Sequence, residues 1–139
     1  MKIVYSYYVM DVVHRGHLAQ MQNAKALAGK NGVSIVGILT SNAVMEKKPS
    51  PAMSFDERCE IARSIKFNDV VIPQEVYSPI PNVLSLLPDI VCESTSHKEK
   101  DIEELKNSTK ARIVVFPYYP NQSSTKIKDE IVKKKRGFN

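Results

Sequence analysis

Two cysteines, Cys59 and Cys92, are all that 139 residues contain, and they stand far apart with no paired spacing. That argues against a disulfide framework and a paired-cysteine zinc knuckle, and leaves both as small buried hydrophobes of a reducing compartment, which implies cytoplasm. No apolar run approaches the roughly 20 residues a membrane span needs. Met1 leads within two residues into a strand-like segment instead of a signal peptide, so nothing is expected to target or anchor the chain. No internal repeat is visible, and the one biased segment, Lys133-Lys134-Lys135-Arg136, reads as a solvated helix end. What is present is material for a single domain, with 42% hydrophobic residues to bury a core. The formal charge of +5 sits partly in that tail; the remainder suits a phosphate-rich small molecule as well as it suits RNA.

Short apolar runs recur at Ile3-Val4-Tyr5, Val33 to Leu39, Val70-Val71-Ile72, Ile90-Val91-Cys92 and Ile113 to Phe116. They are continuous rather than alternating, the pattern of strands covered on both faces of a parallel sheet. Between the first two, Leu18, Met21, Ala24, Leu27 and Ala28 fall at helical spacing, with Gly29 and Gly32 as stop signals, which makes a βαβ unit. Further helical stripes are Phe55, Cys59, Ala62 and Ile65; Val83, Leu86 and Leu87; Ile102 and Leu105; and Ile127 and Ile131, the last capped by Ser123 or Ser124. Prolines mark loops at Pro49-Ser50-Pro51 and Ser78 to Pro81. The expected fold is α/β, a Rossmann-like, doubly wound, five-stranded and mostly parallel sheet in one domain spanning 1–139. Its ligand should lie beyond the carboxyl ends of the strands.

Asp11-Val12-Val13-His14-Arg15-Gly16-His17 is the most informative segment, because it falls where the first strand hands over to the first helix. A helix N-terminus offers unpaired N–H groups and partial positive charge to a phosphate. Two histidines three apart on the first turn face one side and can donate ring N–H bonds to a triphosphate, and Gly16 lets an anion approach the backbone. The spacing alone also suits surface residues or half of a zinc site, with Cys92 and His97 as its completion. Gln122-Ser123-Ser124-Thr125-Lys126 repeats the strand-to-helix context, as a phosphate site or a plain N-cap. Lys47 and Lys48 stand beside prolines in the loop after the second strand, either solvent-facing or part of a cationic loop over a triphosphate. Arg58 lies in the following helix, where a salt bridge is the alternative to phosphate contact.

Together these segments resemble the cytidylyltransferase-like nucleotidyltransferases with a His-x-Gly-His motif, the family of glycerol-3-phosphate cytidylyltransferase and of the cytidylyltransferase domains of phosphonate biosynthesis. Asp11 to His17 is similar to the motif and its lead-in, and Ser54-Phe55-Asp56-Glu57-Arg58 to the aromatic-x-x-Arg helix start. Asn68 to Pro73 resembles the third strand, and Ser123 to Ile127 the closing Ser-Thr motif. The resemblance implies transfer of CMP from CTP to a small phosphonate or phosphate alcohol, with Mg2+ on the triphosphate and a homodimer as the assembly. It implies His14, His17 and Lys47 as catalytic groups that steady charge on the α-phosphate. Val9, Met10, Gly16, Arg58, Glu93, Ser123, Ser124 and Thr125 are then the nucleotide-binding set. Tyr8-Val9-Met10-Asp11 stands where relatives have Gly-Thr-Phe-Asp, and Cys92 to His97 where many have Gly-Asp-Asp-Trp. Tyr118 to Gln122 lacks the family's arginine before the Ser-Thr motif, which tilts the acceptor towards a phosphonate. In-line transfer needs positioned reactants and preorganised positive charge rather than a covalent nucleophile. An adenylyltransferase of the same fold and a non-catalytic nucleotide-binding module are the alternatives. A class I aminoacyl-tRNA synthetase shares the histidine motif but needs parts that 139 residues cannot supply.

Overall fold

The computed structural model describes residues 1–95, 97–117 and 124–135, the side chains of 124–126 and 134–135 excepted. Five strands and six helices follow one another along them, with two helices between the second and third strands. They are β1 (Ile3–Tyr8), α1 (Arg15–Ala28), β2 (Val33–Leu39), α2 (Ser41–Met45), α3 (Phe55–Ser64), β3 (Val70–Gln74), α4 (Ile80–Leu86), β4 (Ile90–Ser94), α5 (Glu99–Ser108), β5 (Arg112–Phe116) and α6 (Ser124–Lys135). Every strand pair is parallel, in the order β3-β2-β1-β4-β5. Parallel neighbours need crossover connections, and the helices supply them on both faces.

The apolar runs explain the layering. In β1 and β4, Val4, Ile90 and Cys92 point to one face and join Ala24 and Ala28 of α1, while Tyr5 and Val91 point to the other with Val83 of α4 and Leu105 of α5. Met10, Met21, Val36, Ile38, Cys59 and Ala62 close a second core under α1 and α3. Gly29 ends α1 at φ 76°, a left-handed backbone that favours glycine. Gly37 on β2 is required for a different reason. A Cβ there would lie 2.0 Å from Tyr5 Oη, so the missing side chain makes room for the buried phenol.

Three features depart from the sequence reading. The stretch between the second strand and the lysine loop is a helix, α2, whose N-cap Thr40 accepts a bond from Ala43 N at 3.1 Å; five residues are too short to show a periodic stripe. Leu87 does not join the Val83 and Leu86 stripe. It closes α4 in the left-handed region at φ 49° and is 73% exposed. The outer strands β3 and β5, each paired along one edge only, are only partly covered. The order β3-β2-β1-β4-β5 reverses direction between β1 and β4, and the crevice at their carboxyl ends is where an open α/β sheet accommodates a ligand.

Candidate active site

That crevice is a cavity of about 860 Å³. Its floor begins where β1 ends. Met10, fully buried among Met21, Val36 and Ile38, takes φ 63°, a strained backbone for a residue with a Cβ, and its core packing holds the turn in place. Asp11 follows, 4% exposed, and organises the rim. Its Oδ1 accepts from Met53 N at 2.9 Å and its Oδ2 from Ala52 N at 3.0 Å and from the Lys128 ammonium. Burial opposes charge on this carboxylate, but Lys128 and the two backbone N–H groups outweigh it and hold the acid below the usual carboxylate range. One side chain thereby ties the β1–α1 turn to the loop before α3 and to α6.

His14 is the N-cap of α1, at φ −143°. Its Nδ1 accepts from Gly16 N at 3.0 Å, and His17 Nδ1 accepts in return from His14 N at 3.2 Å, a capping box built from two imidazoles. A ring nitrogen that accepts carries no proton, so both neutral rings hold theirs on Nε2. The rings lie 4.1 Å apart, and the edge of Tyr8 meets His17 at 6.1 Å. Burial, and then the neighbouring His14, pushes His17 down to about 4, while burial alone lowers His14. Two neutral imidazoles therefore present Nε2–H donors beside a helix N-terminus whose first turn has no acidic residue. Both rings and the buried Gly16 line the cavity.

Because the folded His17 resists protonation, the unfolded chain binds a proton near pH 6.5 that the native state does not take up until about 4. Stability is thus fully present above pH 6.5 and falls as pH drops towards 4. Asp11, held low, extends the loss to more acid pH as it titrates. Chemical denaturation of His17→Gln across this range should give a flatter acid limb than the parent, the difference reaching about 3 kcal/mol at most. A parallel pair of curves would show that His17 titrates alike in both states.

The remaining sequence candidates distribute unevenly. Val9 lines the cavity; Met10 supports it from the core. Of the lysine pair, Lys48 stands on the cavity wall while Lys47, exposed, is not among the lining residues; both backbone N–H groups close on Val44 O at the end of α2. Arg58 is wholly buried in α3. Its Nη1 donates to Val9 O and Leu39 O at 2.7 Å each, its Nε to Met53 O and its Nη2 to Ser41 Oγ, both at 3.3 Å. Every guanidinium nitrogen thus has a protein partner, and the residue braces the loop carrying Val9 instead of facing the cavity. Glu93 lines the cavity but is 4% exposed, with Oε1 accepting from Tyr7 Oη at 2.6 Å and Oε2 against His97 Nδ1. Ser123 and the side chains of Ser124 and Thr125 lie outside the described residues.

Lys128 and Tyr7 are cavity residues that the sequence reading did not assign a part, and His97, also on the cavity wall, entered it only as a possible zinc ligand. Lys128 had a signal: it falls four residues after Ser124 of the Ser-Thr segment. Among the described residues no group of three or more histidine, cysteine or acidic side chains is placed to hold a metal ion. No helix among them is long and apolar enough to cross a membrane.

The profile of the cytidylyltransferase-like family matches residues 9–130, which include the histidine turn, the Asp11 tie and most of α6. The chain belongs to this family. It is 30% identical over 128 residues to a FAD synthase of Korarchaeum cryptofilum, covering 88% of this chain and 86% of that one. It is also 31% identical over 103 residues to the bifunctional protein HldE of Helicobacter pylori, covering 73% of this chain but only 22% of HldE. Among solved structures, a lipopolysaccharide core biosynthesis protein of Thermoplasma volcanium superposes with a TM-score of 0.73 at 20% identity, covering 86% of this chain and 98% of that one, which shows a shared fold. As a cytidylyltransferase-like protein the chain is a nucleotidyltransferase. Two neutral ring donors, a helix N-terminus, Lys48 and Lys128 meet in one crevice.

Proposed function

We propose that the chain transfers CMP from CTP to a small phosphonate or phosphate alcohol, releasing pyrophosphate, as a cytoplasmic homodimer. The observation that carries the transfer chemistry is the pair of Nδ1-anchored histidines at the α1 N-terminus, which line the cavity and keep Nε2–H free of these bonds. An oxygen of the acceptor's phosphonate or phosphate attacks the α-phosphorus. The new P–O bond forms as the bond to the bridging oxygen breaks, and that oxygen leaves with the electron pair as part of pyrophosphate. Charge grows on the leaving group and on the α-phosphate oxygens, and fixed donors that need no reorganisation stabilise it. Neutral imidazoles suit this role because their N–H bonds point one way and their protonation does not vary near neutral pH. Lys48 and Lys128 would neutralise the outer phosphates, with Lys128 exchanging part of its Asp11 contact for the ligand. The Asp11 and Glu93 carboxylates are already engaged by the protein, which fits a magnesium ion that arrives on the triphosphate as part of the substrate.

A second reading has one specific support. The FAD synthase relative matches over most of both chains, and the product in its name contains an adenine nucleotide, so ATP is the alternative donor. Pyrophosphate release with CTP, ATP, GTP and UTP, each with magnesium against 2-hydroxyethylphosphonate and glycerol 3-phosphate, tests both. Turnover should be highest with CTP and the phosphonate. A preference for ATP would move the assignment to the second reading, and no release with any pair would end the transfer proposal.

A further inference from the structure

Glu46 immediately precedes the lysine pair, an acidic residue at the edge of the crevice assigned to a triphosphate. By sign alone it works against a polyanion. Its place in the fold accounts for it. Glu46 is the C-cap of α2, a helix of five residues, far below the length at which a helix persists by itself. α2 is therefore held from outside. At its start Thr40 N donates to Gln74 O at 3.0 Å, and along its length Ala43 and Val44 pack with Leu39 against Tyr77. At its end Glu46 Oε2 accepts from Tyr77 N at 3.0 Å. Both ends of α2 are thus tied to β3 and the loop beyond it. That loop is itself anchored. Tyr77 O accepts from Nε2 of the buried Gln74 at 3.0 Å, and Gln74 Oε1 accepts from Tyr5 Oη at 2.6 Å. Burial keeps the Tyr5 phenol protonated well above its usual range, so it is the donor here, and Oη in turn accepts from Asn82 Nδ2 at 2.9 Å. The bonds run one way, from Asn82 through Tyr5 and Gln74 to Tyr77, and polarise one another.

We propose that Glu46 is a positioning residue for the triphosphate: its bond to Tyr77 N holds the end of α2 and so keeps Lys48 on the cavity wall. The inference rests on the nucleotidyl-transfer reading, in which Lys48 meets the outer phosphates. Lys47 N and Lys48 N both donate to Val44 O, at 3.1 and 2.9 Å, so the lysines ride on the last turn of α2. Val44 and Lys48 line the cavity, whereas Glu46 is exposed and is not among the lining residues. Among the described residues no ion pair joins Glu46 to either lysine. Its effect on a bound phosphate is therefore indirect, through the backbone that carries Lys48.

Titration calorimetry with magnesium tripolyphosphate tests this, because positioning and charge predict opposite signs. Glu46→Ala removes an acidic group beside a polyanion, yet it should bind about threefold to tenfold more weakly than the parent, the range that one lost hydrogen bond supports. Glu46→Gln removes the same carboxyl group but still offers an oxygen to Tyr77 N, and should bind at least as tightly as the parent. In a Lys48→Ala background the further change Glu46→Ala should cost no more affinity, since the residue through which Glu46 acts is gone. A merely structural Glu46 would weaken binding with or without Lys48. Binding by Glu46→Ala that matches or exceeds the parent overturns the inference, and so does a Glu46→Gln variant as weak as Glu46→Ala, or a loss undiminished in the absence of Lys48. Each of these spares the transfer reading. A parent that does not bind tripolyphosphate overturns the phosphate assignment of the crevice, and this inference with it.

Discussion

His14→Asn and His17→Gln should each lower turnover by about a hundredfold to a thousandfold while leaving thermal unfolding nearly unchanged. The choice of replacements separates chemistry from folding. Asparagine at 14 still offers an oxygen to Gly16 N, so the α1 cap survives, and glutamine at 17 can still accept from His14 N. What each variant loses is the ring Nε2–H donor. His14→Ala, in contrast, loses both, and should add about 1 kcal/mol of destabilisation to the catalytic defect. Steady-state pyrophosphate release beside melting curves distinguishes the cases. Near-parental turnover in both conservative variants would remove the histidines from the transfer step.

The largest stability effect is expected at Arg58. Arg58→Leu strips the donors from Val9 O, Leu39 O, Met53 O and Ser41 Oγ in a site closed to water, and should cost roughly 3 kcal/mol or more by denaturant unfolding. Arg58→Lys should recover only part of this, since an ammonium lacks the planar fork that reaches several carbonyls together. The measurement also decides between two roles. A variant of parental stability that fails to bind tripolyphosphate would make Arg58 a phosphate ligand, as the family resemblance implies. A destabilised variant makes it the brace of the Val9 loop.

The parallel sheet was legible because buried strands leave continuous apolar runs and α1 leaves a helical stripe closed by Gly29. Those are local periodicities, and the sequence carries them directly. The position of the histidines at a strand-to-helix turn was legible for the same reason. Their tautomers were not, because these depend on which ring nitrogen the backbone of residues 14 and 16 engages. Arg58 reads as a cation in a helix, yet its partners Val9 and Leu39 lie 49 and 19 residues away, a distance no spacing rule spans. The Tyr7, Glu93 and His97 wall likewise joins β1 to the end of β4 through contacts 86 and 90 residues apart in sequence. Lys47 and Lys48 are chemically alike, and only the end of α2 decides which of them meets the cavity. Leu87 failed as a core residue because a left-handed turn, invisible in an apolar pattern, rotates it outward.

The most direct test of the account is nitrogen-15 NMR of the His14 and His17 side chains at neutral pH, free and with magnesium CTP. Both rings should be neutral with the proton on Nε2 in the free protein, and on addition of nucleotide the Nε2 resonances should move while each Nδ1 keeps its acceptor character. An Nδ1-protonated tautomer in either ring, or rings that do not respond while the nucleotide binds, would contradict it.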